Sequence, residues 1–327
     1  MLQESLRSVP GVQVKNFSWR TAILGRYDVF HVHWPEILVN GHSPLKKFVR
    51  QGLTLGLLLR LRMLRTPLVR TVHNVEMPQG ITMREKLLLR LIDKSTTLRI
   101  RLNSTTPIPV DEPFHTILHG HYRDWFGTFP SQIQVPGQIG YIGLIRRYKG
   151  VEDLIRAFRG TEKMADGLSL RLAGNPSNEA LADAIRLAAD GDSRINLDLR
   201  FIPDETLVDV ITSSELVVLP YRFMHNSAGV LTALSLGRPV LVPDNEVNRK
   251  LSEEVGPGWV FLFDGPLTSE HLIQTFERFR SAMPGSGPDL HRREWETAGA
   301  DHVAAYRHAV EGRRGPGLSS GRRKRSS

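Results

Sequence analysis

The stretch Tyr141–Phe158, "YIGLIRRYKGVEDLIRAF", predicts a short buried strand, a basic turn and then an amphipathic helix. Arg146, Arg147 and Lys149 lie in the turn, directly before the helix. A helix N-terminus offers unpaired N–H groups and about half a positive charge. Cations at that place destabilise the helix unless an anion binds, so we prefer a phosphate seat to a solvated loop. The stretch therefore predicts an anion-binding turn in an α/β fold.

Short apolar runs alternate with helical patterns along almost the whole chain, five before a Pro- and Gly-rich break at 127–138 and six after it. Nearly all-apolar strands that alternate with helices indicate parallel sheets covered on both faces. The predicted fold is α/β, with two doubly wound Rossmann-like domains facing across a cleft. The predicted strands are VQVKNF, DVFHVHW, PLVRTVH, TTLRIRLN and HTILHG, then QIGYIGL, LSLRLAG, INLDLRFI, LVVLPY, PVLVPD and GWVFLF.

The break places the domain boundary between residues 132 and 133. A first domain covers 1–132 and a second covers 133–298, followed by a helix over 299–312 and a basic, disordered tail over 313–327. The pattern suggests a break in the C-terminal helical stretch near Gly299. A helical segment, LQESLRSV, precedes the first predicted strand, whereas a doubly wound domain normally opens with a strand. Either the start of the chain lies too late, or an edge or central strand has been lost.

Composition excludes several classes of protein. The chain has 327 residues and no cysteine, which excludes disulfides and thiolate metal sites and fits a reducing cytoplasm. We find no apolar run long enough to span a membrane and no signal-peptide pattern at the N-terminus. The net charge of +9 is concentrated in the C-terminal tail and in 46–101, which holds thirteen Lys and Arg.

The basic segment Ser43–Arg65, SPLKKFVRQGLTLGLLLRLRMLR, mixes cations with Leu, Phe and Val at helical spacing. Ser43 is a suitable N-cap, and Pro44 suits the first helical position. The segment is either a core helix with Arg on its wet face or an interfacial helix against acidic lipid. The tail is either a solvated extension or a segment attracted to an anionic membrane or nucleic acid. Together the two regions favour an anionic membrane surface.

A second phosphate-sized site follows the strand that ends at Pro220. The stretch LPYRFMHNSAGVLTALSLGRPVLVP starts a helix near Asn226 or Ser227, both good N-caps. Ser227, Ala228 and Gly229 are small, so a ligand can approach the backbone closely. Two helix N-termini at one sheet edge predict a pocket for a nucleoside diphosphate.

Polar clusters follow three strands of the first domain: HVHWPE with His31, TVHNVEMP with His73, and LHGHYRDW with His119. No acidic or thiolate partner stands at ligand spacing, so we predict no metal site. A histidine at the carboxyl end of a strand suits general-base work, since its ordinary pKa is near neutral. His73 is the best candidate, because Asn74 and the turn-forming Pro78 follow it.

This ordered set of motifs resembles the GT-B-fold glycosyltransferases, in particular bacterial enzymes of glycolipid and exopolysaccharide synthesis. The resemblance rests on HVHWPE, TVHN, LHGHY, YIGLIRRYKG, LRLAGNP, RFIPDETL and NSAGVLTALSLGRPVLVP, and covers most of the chain. It implies an acceptor-binding domain over 1–132, a nucleotide-sugar-binding domain over 133–298, a helix that returns to the first domain, and no metal requirement. Lys149, with Arg146, would neutralise the donor diphosphate, and His73 would lie near the transferred sugar.

The expected function is transfer of a hexosyl unit from a nucleoside diphosphate sugar to a carbohydrate or lipid-linked acceptor. The resemblance mildly prefers GDP-mannose as the co-substrate and implies no other cofactor. The expected place is cytoplasmic, at the inner face of the plasma membrane. The candidate donor-binding residues are Arg146, Lys149, Tyr221, Asn226, Ser227, Ala228 and Thr232. The candidate acceptor-binding residues are His33, Trp34, Glu36, Asn74 and His121, with His73 catalytic.

Three positions depart from the family pattern. Many members have two Glu eight residues apart in the donor motif, where this chain has Met224 and Thr232. The Arg that usually follows the strand-ending Gly is Leu144, and we expect Arg146 to take its place. An inactive scaffold in a polysaccharide assembly and a nucleotide-sugar epimerase therefore stay open as alternatives. A nucleic-acid-binding role is set aside, because the sequence offers no aromatic stacking platform.

Overall fold

A computed structural model describes residues 1–74, 80–281 and 285–314 of the chain. The chain divides into two compact units, Met1–His119 together with Trp295–Ser327, and Gly120–Glu294. Glu76 and Pro78 of the predicted polar clusters, and the basic tail beyond Arg314, lie outside the described residues.

The first unit is built on a four-stranded parallel sheet in the order β1-β2-β3-β4. Three strands lie within predicted apolar runs, and β4 overlaps the run HTILHG but begins one residue before it, which confirms four of the five strands expected here. Val69, Leu98 and Ile100 are buried in the core of this sheet. The elements are α1 Leu2–Ser8, α2 Trp19–Leu24, β1 Phe30–Val32, α3 Glu36–Val39, α4 Pro44–Met63, β2 Leu68–Val72, α5 Met83–Ser95, β3 Leu98–Arg101 and β4 Phe114–Thr116.

The strand predicted over VQVKNF is wrong, since residues 12–17 form no strand. The alternation of the segment does produce alternate burial at Val12 and Val14, but no described strand pairs with its backbone. Phe17, its last apolar residue, instead packs edge-on against Trp19 and Phe30. The alternation of apolar and polar residues therefore indicates a half-buried extended segment here, and not a strand that pairs with another strand.

The second unit holds a six-stranded parallel sheet in the order β10-β9-β8-β5-β6-β7. All six predicted strands are confirmed. β8 is buried along its whole length because the sheet is covered on both faces. The elements are α6 Arg123–Phe126, β5 Gln138–Ile142, α7 Val151–Arg159, β6 Ser169–Ala173, α8 Glu179–Ala189, β7 Ile195–Asp198, α9 Asp204–Ser213, β8 Leu216–Val218, α10 Ala228–Ser235, β9 Val240–Pro243, α11 Glu246–Val255, β10 Val260–Phe263 and α12 Ser269–Ser281.

The division between the units falls after His119, whereas the sequence placed it after residue 132. Residues 120–132 contain no regular element besides the short helix α6, but hydrogen bonds attach them to the second unit. The Tyr122 N–H donates to Ser235 Oγ at 2.9 Å, and Trp125 Nε1 donates to Asp204 at 2.8 Å. The composition break marks the end of a periodic pattern, and these contacts decide to which unit the segment belongs.

Helix α4 matches the predicted basic helix. The Ser43 side chain accepts a hydrogen bond from the Lys46 N–H, and Pro44 occupies the first turn, as the sequence indicated. Among the described helices, none is both long enough and apolar enough to cross a bilayer.

The last helix, α13 Trp295–Arg314, belongs to the first unit, where it contacts α1, β2 and β3. The predicted break near Gly299 is wrong, since α13 runs through it without interruption. A Cβ at Gly299 would lie 2.1 Å from Ser5 Oγ and 3.0 Å from the Ser5 carbonyl oxygen. The glycine is thus a close-contact point between α1 and α13 and not a helix stop.

Gly299→Ala should destabilise the protein, although the same change in an open helix position gains up to about 1 kcal/mol. Overpacking against Ser5 is expected to lower the free energy of unfolding by about 1–3 kcal/mol. Gly312→Ala, in the same helix with no atom near the added Cβ, is the matched control and should not destabilise. Denaturant unfolding of the two variants measures the difference. Equal stabilities would contradict the close contact.

Candidate functional site

The second unit reverses its strand order between β5 and β8. From β5 the chain builds β6 and β7 on one side, and β8, β9 and β10 extend the sheet on the other. In open parallel sheets, ligands bind outside the carboxyl ends of the strands at such a switch point. The loop after β5 carries the basic turn, and the loop after β8 leads to α10. Topology therefore brings together the two segments that the sequence selected.

The two loops are attached to each other through their backbones. A 3-10 turn, Arg147–Lys149, follows β5 and ends at Gly150, which has φ of +66°. A Cβ at Gly150 would lie 2.3 Å from the carbonyl oxygen of Pro220, at the end of β8. The Arg222 N–H donates to the Tyr148 carbonyl at 2.9 Å. Only glycine satisfies both the left-handed backbone and the close approach, so the geometry of the basic turn is fixed.

Lys149 points at Tyr221. Its Nζ lies 3.4 Å from the Tyr221 hydroxyl and 4.6 Å from the centre of the Tyr221 ring. The side chain of Ser227, the N-cap of α10, lies close enough to the Tyr221 hydroxyl to influence the pKa of Tyr221. Gly143, with φ of +118°, and Gly229 border the same pair, and a Cβ at either would lie within 4 Å of the Tyr221 hydroxyl. Two glycines therefore leave space beside a cation, a phenol and a helix N-terminus.

Lys149 carries a partly buried charge without a matching anion. Within the described residues, no carboxylate lies within ion-pair distance of its Nζ. Burial, and secondarily the nearby Arg146 charge, lowers the pKa of Lys149 to about 8. The protonated form therefore predominates at neutral pH but is poorly solvated. A bound diphosphate would supply the missing counter-charge.

The first turn of α10 suits an anion better than that of α7, the helix that directly follows the basic turn. Glu152 and Asp153 fill the first turn of α7, and Asp153 pairs with Arg156 and Arg222. The first turn of α10 has no acidic residue. Because a helix N-terminus favours negative charge, the partial charge of α10 stays available for a ligand.

The other predicted donor residues take different positions. Arg146 Nη1 donates to the Ile145 carbonyl at 2.8 Å, which turns the guanidinium towards the loop after β6. Asn226 and Ala228 are exposed beside the Ser227 N-cap. Thr232 is buried, and its hydroxyl donates to the Ala228 carbonyl at 2.8 Å, so this placement gives no support to the ribose contact.

Met224, at the position of the first family Glu, is buried in the apolar core of the unit. Its backbone carbonyl accepts a hydrogen bond from the Asn245 side chain. This loop is thus held by packing and amide contacts.

In the first unit, histidines collect at the carboxyl ends of β1 and β2. His31 is fixed on both ring nitrogens, with the Tyr306 hydroxyl 2.7 Å from Nδ1 and Thr71 Oγ1 2.8 Å from Nε2. The His31 and His33 rings are 4.3 Å apart. Because one of its contacts comes from α13, His31 connects the last helix to the sheet. Its ring also supports the neighbouring His33.

His33 and His73 form a pair in front of this support. His33 Nδ1 and His73 Nε2 are 3.2 Å apart, so one ring donates a hydrogen bond to the other. The Trp34 ring stacks on His73 with 4.3 Å between centroids and 15° between planes. Trp34 is still 44% exposed. An indole, an imidazole pair and solvent therefore meet at one point.

The histidines of the pair are neutral at physiological pH. Burial, and secondarily the nearby His302 and His119, lowers the pKa of His33 to about 4. Burial likewise lowers the pKa of His73 to about 4, with smaller effects of His33 and His119. A neutral imidazole has a lone pair that can accept a proton, which a general base requires.

The remaining acceptor candidates divide between the two units. Glu36 begins α3, and within the described residues its buried Oε2 has no hydrogen-bond partner. Asn74 is exposed next to His73. His121 belongs to the second unit, where its Nε2 lies 3.0 Å from Glu294 and its Nδ1 accepts from the Arg123 N–H. Both nitrogens of His121 are thus occupied in contacts within the second unit.

Sequence reasoning did not select His302 and Tyr306, which support the cluster from α13. Their spacing of four residues puts them on one helix face, and this spacing is the sequence feature from which they could have been selected. Among the residues in 1–74, 80–281 and 285–314, no group of three or more His, Asp or Glu could hold a metal ion.

Comparison with known proteins agrees with this geometry. Residues 136–277 match the family model "Glycosyl transferases group 1". A GDP-mannose:glycolipid 4-beta-D-mannosyltransferase of Xanthomonas campestris pv. campestris is 44% identical over 300 residues, which cover 91% of this chain and 85% of the relative. A chain of the GtfA/B complex superposes with a TM-score of 0.55 at 13% identity, covering 80% of this chain and 56% of that one. Sucrose-phosphate synthase of Thermosynechococcus elongatus gives 0.53 at 13% identity, covering 87% and 70%.

Two Rossmann-like units with parallel sheets and a cationic switch point define a GT-B-fold glycosyltransferase. The chain belongs to the group 1 glycosyltransferases. It is an enzyme that moves a sugar from a nucleoside diphosphate sugar to an acceptor.

The depressed histidine pKa values predict a loss of stability in mild acid. The unfolded chain takes up these protons near pH 6.5, whereas His33 and His73 in the folded chain resist until about pH 4. The contribution of these two histidines to stability should therefore be constant above pH 6.5 and fall as the pH drops from 6.5 to 4, by up to about 1.4 kcal/mol per pH unit for each group. Denaturant unfolding of the wild type and of His33→Gln/His73→Gln across this range measures the effect.

The double variant should show a shallower decline below pH 6.5, while the two curves run parallel between pH 7 and 8. An unchanged slope in the variant would contradict the neutral, buried pair.

Proposed function

We propose that the enzyme transfers mannose from GDP-mannose to a lipid-linked saccharide and forms a β linkage. The identity of 44% over 91% of the chain with a GDP-mannose:glycolipid 4-beta-D-mannosyltransferase carries this proposal. The donor and acceptor sites described above supply the chemistry that such a reaction needs.

The second unit binds the donor. Lys149 and the N-terminus of α10 contact the diphosphate, and the Tyr221 hydroxyl positions the Lys149 ammonium. As the bond between mannose C1 and the phosphate oxygen breaks, negative charge grows on the departing GDP. A cation and backbone dipoles that are already in place stabilise that charge without reorganisation. Gly143 and Gly229 leave the space that the phosphates occupy.

The first unit binds the acceptor and removes its proton. GDP-mannose holds mannose in the α configuration, so a β product requires inversion in a single displacement. The acceptor oxygen forms a bond to C1, the C1–phosphate bond breaks with its electron pair leaving on GDP, and the hydroxyl proton passes to His73. His33 then stabilises the imidazolium as it forms.

The side chains around His73 bind the acceptor sugar. The exposed Trp34 indole stacks on a sugar ring, and the Glu36 carboxylate accepts a hydrogen bond from a sugar hydroxyl. Asn74 is the adjacent amide.

The enzyme works at the cytoplasmic membrane surface, where a lipid-linked acceptor is held, and no divalent metal takes part. The cation and helix dipole at the switch point take the role that Mg²⁺ has in other sugar transferases. Activity should therefore survive EDTA.

Transfer of radiolabelled sugar to a lipid-linked oligosaccharide tests the proposal. The donors to compare are GDP-mannose, GDP-fucose, UDP-glucose and ADP-glucose, each with and without EDTA. GDP-mannose should be used at the highest rate, equally in both conditions. A higher rate with a uridine or adenosine donor would overturn the donor assignment, and loss of activity in EDTA would overturn the metal-independent account.

Two substitutions separate the roles of the units in the same assay. Lys149→Ala should weaken GDP binding roughly 10- to 150-fold, because a hydrogen bond to a charged group is lost. His73→Ala should leave GDP binding unchanged and lower kcat by about 100- to 10,000-fold, because the base is lost. Lys163→Ala and His42→Ala, both at exposed positions, are the matched controls and should resemble the wild type. A His73→Ala enzyme with full kcat would contradict the general base.

A further inference from the structure

Helix α4 exposes apolar side chains where an ordinary surface helix exposes polar ones. Its inner face carries two polar residues, Gln51 and Thr54, which donate to carbonyls of α3. Its outer face carries six large apolar side chains that are 49–73% exposed. They stand one to four residues apart, except for a gap between Val49 and Leu55, and reach from one end of the helix to the other, about 30 Å. They are Leu45, Phe48, Val49, Leu55, Leu59 and Met63.

The neighbouring helix α5 continues this pattern. Lys47 of α4 pairs with the buried Glu85 of α5 at 2.8 Å, so the two helices are joined along their inner sides. On its exposed side, α5 presents Met83 and Leu87 at a spacing of four residues. We call the exposed apolar residues of the two helices, together with the cations between them, the α4–α5 face.

The charges on this face are all positive. Six exposed cations lie on or next to the apolar stripe, and within the described part of the chain none has a carboxylate within 4 Å. They are Lys46, Arg62, Arg65, Arg84, Arg90 and Lys94. The acidic residues of the two helices are turned inwards, Glu85 to Lys47 and Asp93 to Arg70 and Arg99. Nothing described in the chain neutralises the outer side.

The combination of exposed apolar side chains and cations determines which kind of partner fits the α4–α5 face. An exposed apolar patch of this extent marks an interaction surface. A second copy of the chain would bring six like charges against these six, which disfavours self-association. A surface of anionic lipid offers both an apolar layer and negative charge, the pairing that amphipathic interfacial helices use.

We propose that the α4–α5 face docks the enzyme on a bilayer that contains anionic lipid. The two helices lie along the bilayer surface, with the apolar stripe at the boundary between headgroups and acyl chains and the cations among the phosphates. The inference rests on the proposed function in one respect, since a lipid-linked acceptor gives the enzyme a reason to reach the membrane.

Vesicle sedimentation of the full-length protein tests the docking surface. Vesicles of phosphatidylcholine alone are compared with equimolar phosphatidylcholine and phosphatidylglycerol, at low and high salt. The wild type should sediment only with the anionic vesicles, and less at high salt. Phe48→Gln/Leu59→Gln should lower the partition coefficient about 10-fold or more. Lys46→Gln/Arg62→Gln should lower it roughly 10- to 30-fold, about 5-fold per charge.

Matched controls come from exposed positions of the second unit. Met164→Gln/Leu187→Gln removes the same number of apolar side chains, and Lys163→Gln/Arg292→Gln removes the same number of charges. Both should partition like the wild type. The proposal is overturned if the wild type does not sediment with anionic vesicles, or if the α4 variants partition like their controls. It is also overturned if light scattering finds a dimer that Phe48→Gln/Leu59→Gln dissociates without changing vesicle binding.

Transfer to a short-chain, water-soluble acceptor on the same proteins separates this inference from the proposed function. Variants that keep the wild-type rate in solution but lose vesicle binding support the α4–α5 face as a docking surface. A wild type that binds vesicles through this face but does not transfer mannose also supports the face, and contradicts the proposed function alone.

Discussion

The close approach of the loops after β5 and β8 is the constraint on which the donor site depends. Gly150 must be a glycine, because its backbone is left-handed and the Pro220 carbonyl occupies the place of a side chain. Only with these loops in contact does Lys149 reach Tyr221, and Tyr221 in turn reaches the cap of α10 at Ser227. A larger residue at position 150 would separate the loops and leave the ammonium group without its support. The sheet order creates the switch point, and this one backbone contact gives it a defined shape.

The two units provide opposite electrostatic environments for two halves of one reaction. The second unit holds a cation that lacks a counter-charge, which suits a group that becomes more negative as it leaves. The first unit holds imidazoles that burial keeps neutral, with His73 supported by His33 and, one layer deeper, by His31. Both environments use burial to shift a pKa away from its ordinary value.

Sequence patterns predict what depends on local periodicity and miss what depends on distant contacts. The apolar runs of ten strands are detectable because parallel strands are buried on both faces. The run over 12–17 has the same alternation but no partner strand, which only the tertiary structure reveals. Lys149 can be predicted because a cluster of cations in a turn before a helix is apparent from the sequence alone. The continuity of α13 at Gly299 could not be inferred, because the reason for that glycine lies on α1, nearly the whole chain away. His121 was selected for its motif, yet its motif did not reveal the contact with Glu294.

The most direct test of the account is the number of protons taken up when GDP binds, measured by titration calorimetry in buffers of different ionisation enthalpy. The pKa of Lys149 is about 8 without ligand, and contact with a diphosphate should raise it. The account predicts uptake of about half a proton at pH 8, almost none at pH 7, and none at either pH in Lys149→Arg, whose guanidinium stays charged. GDP binding without proton uptake at pH 8, or with the same uptake in Lys149→Arg, would contradict the claim that Lys149 holds the diphosphate.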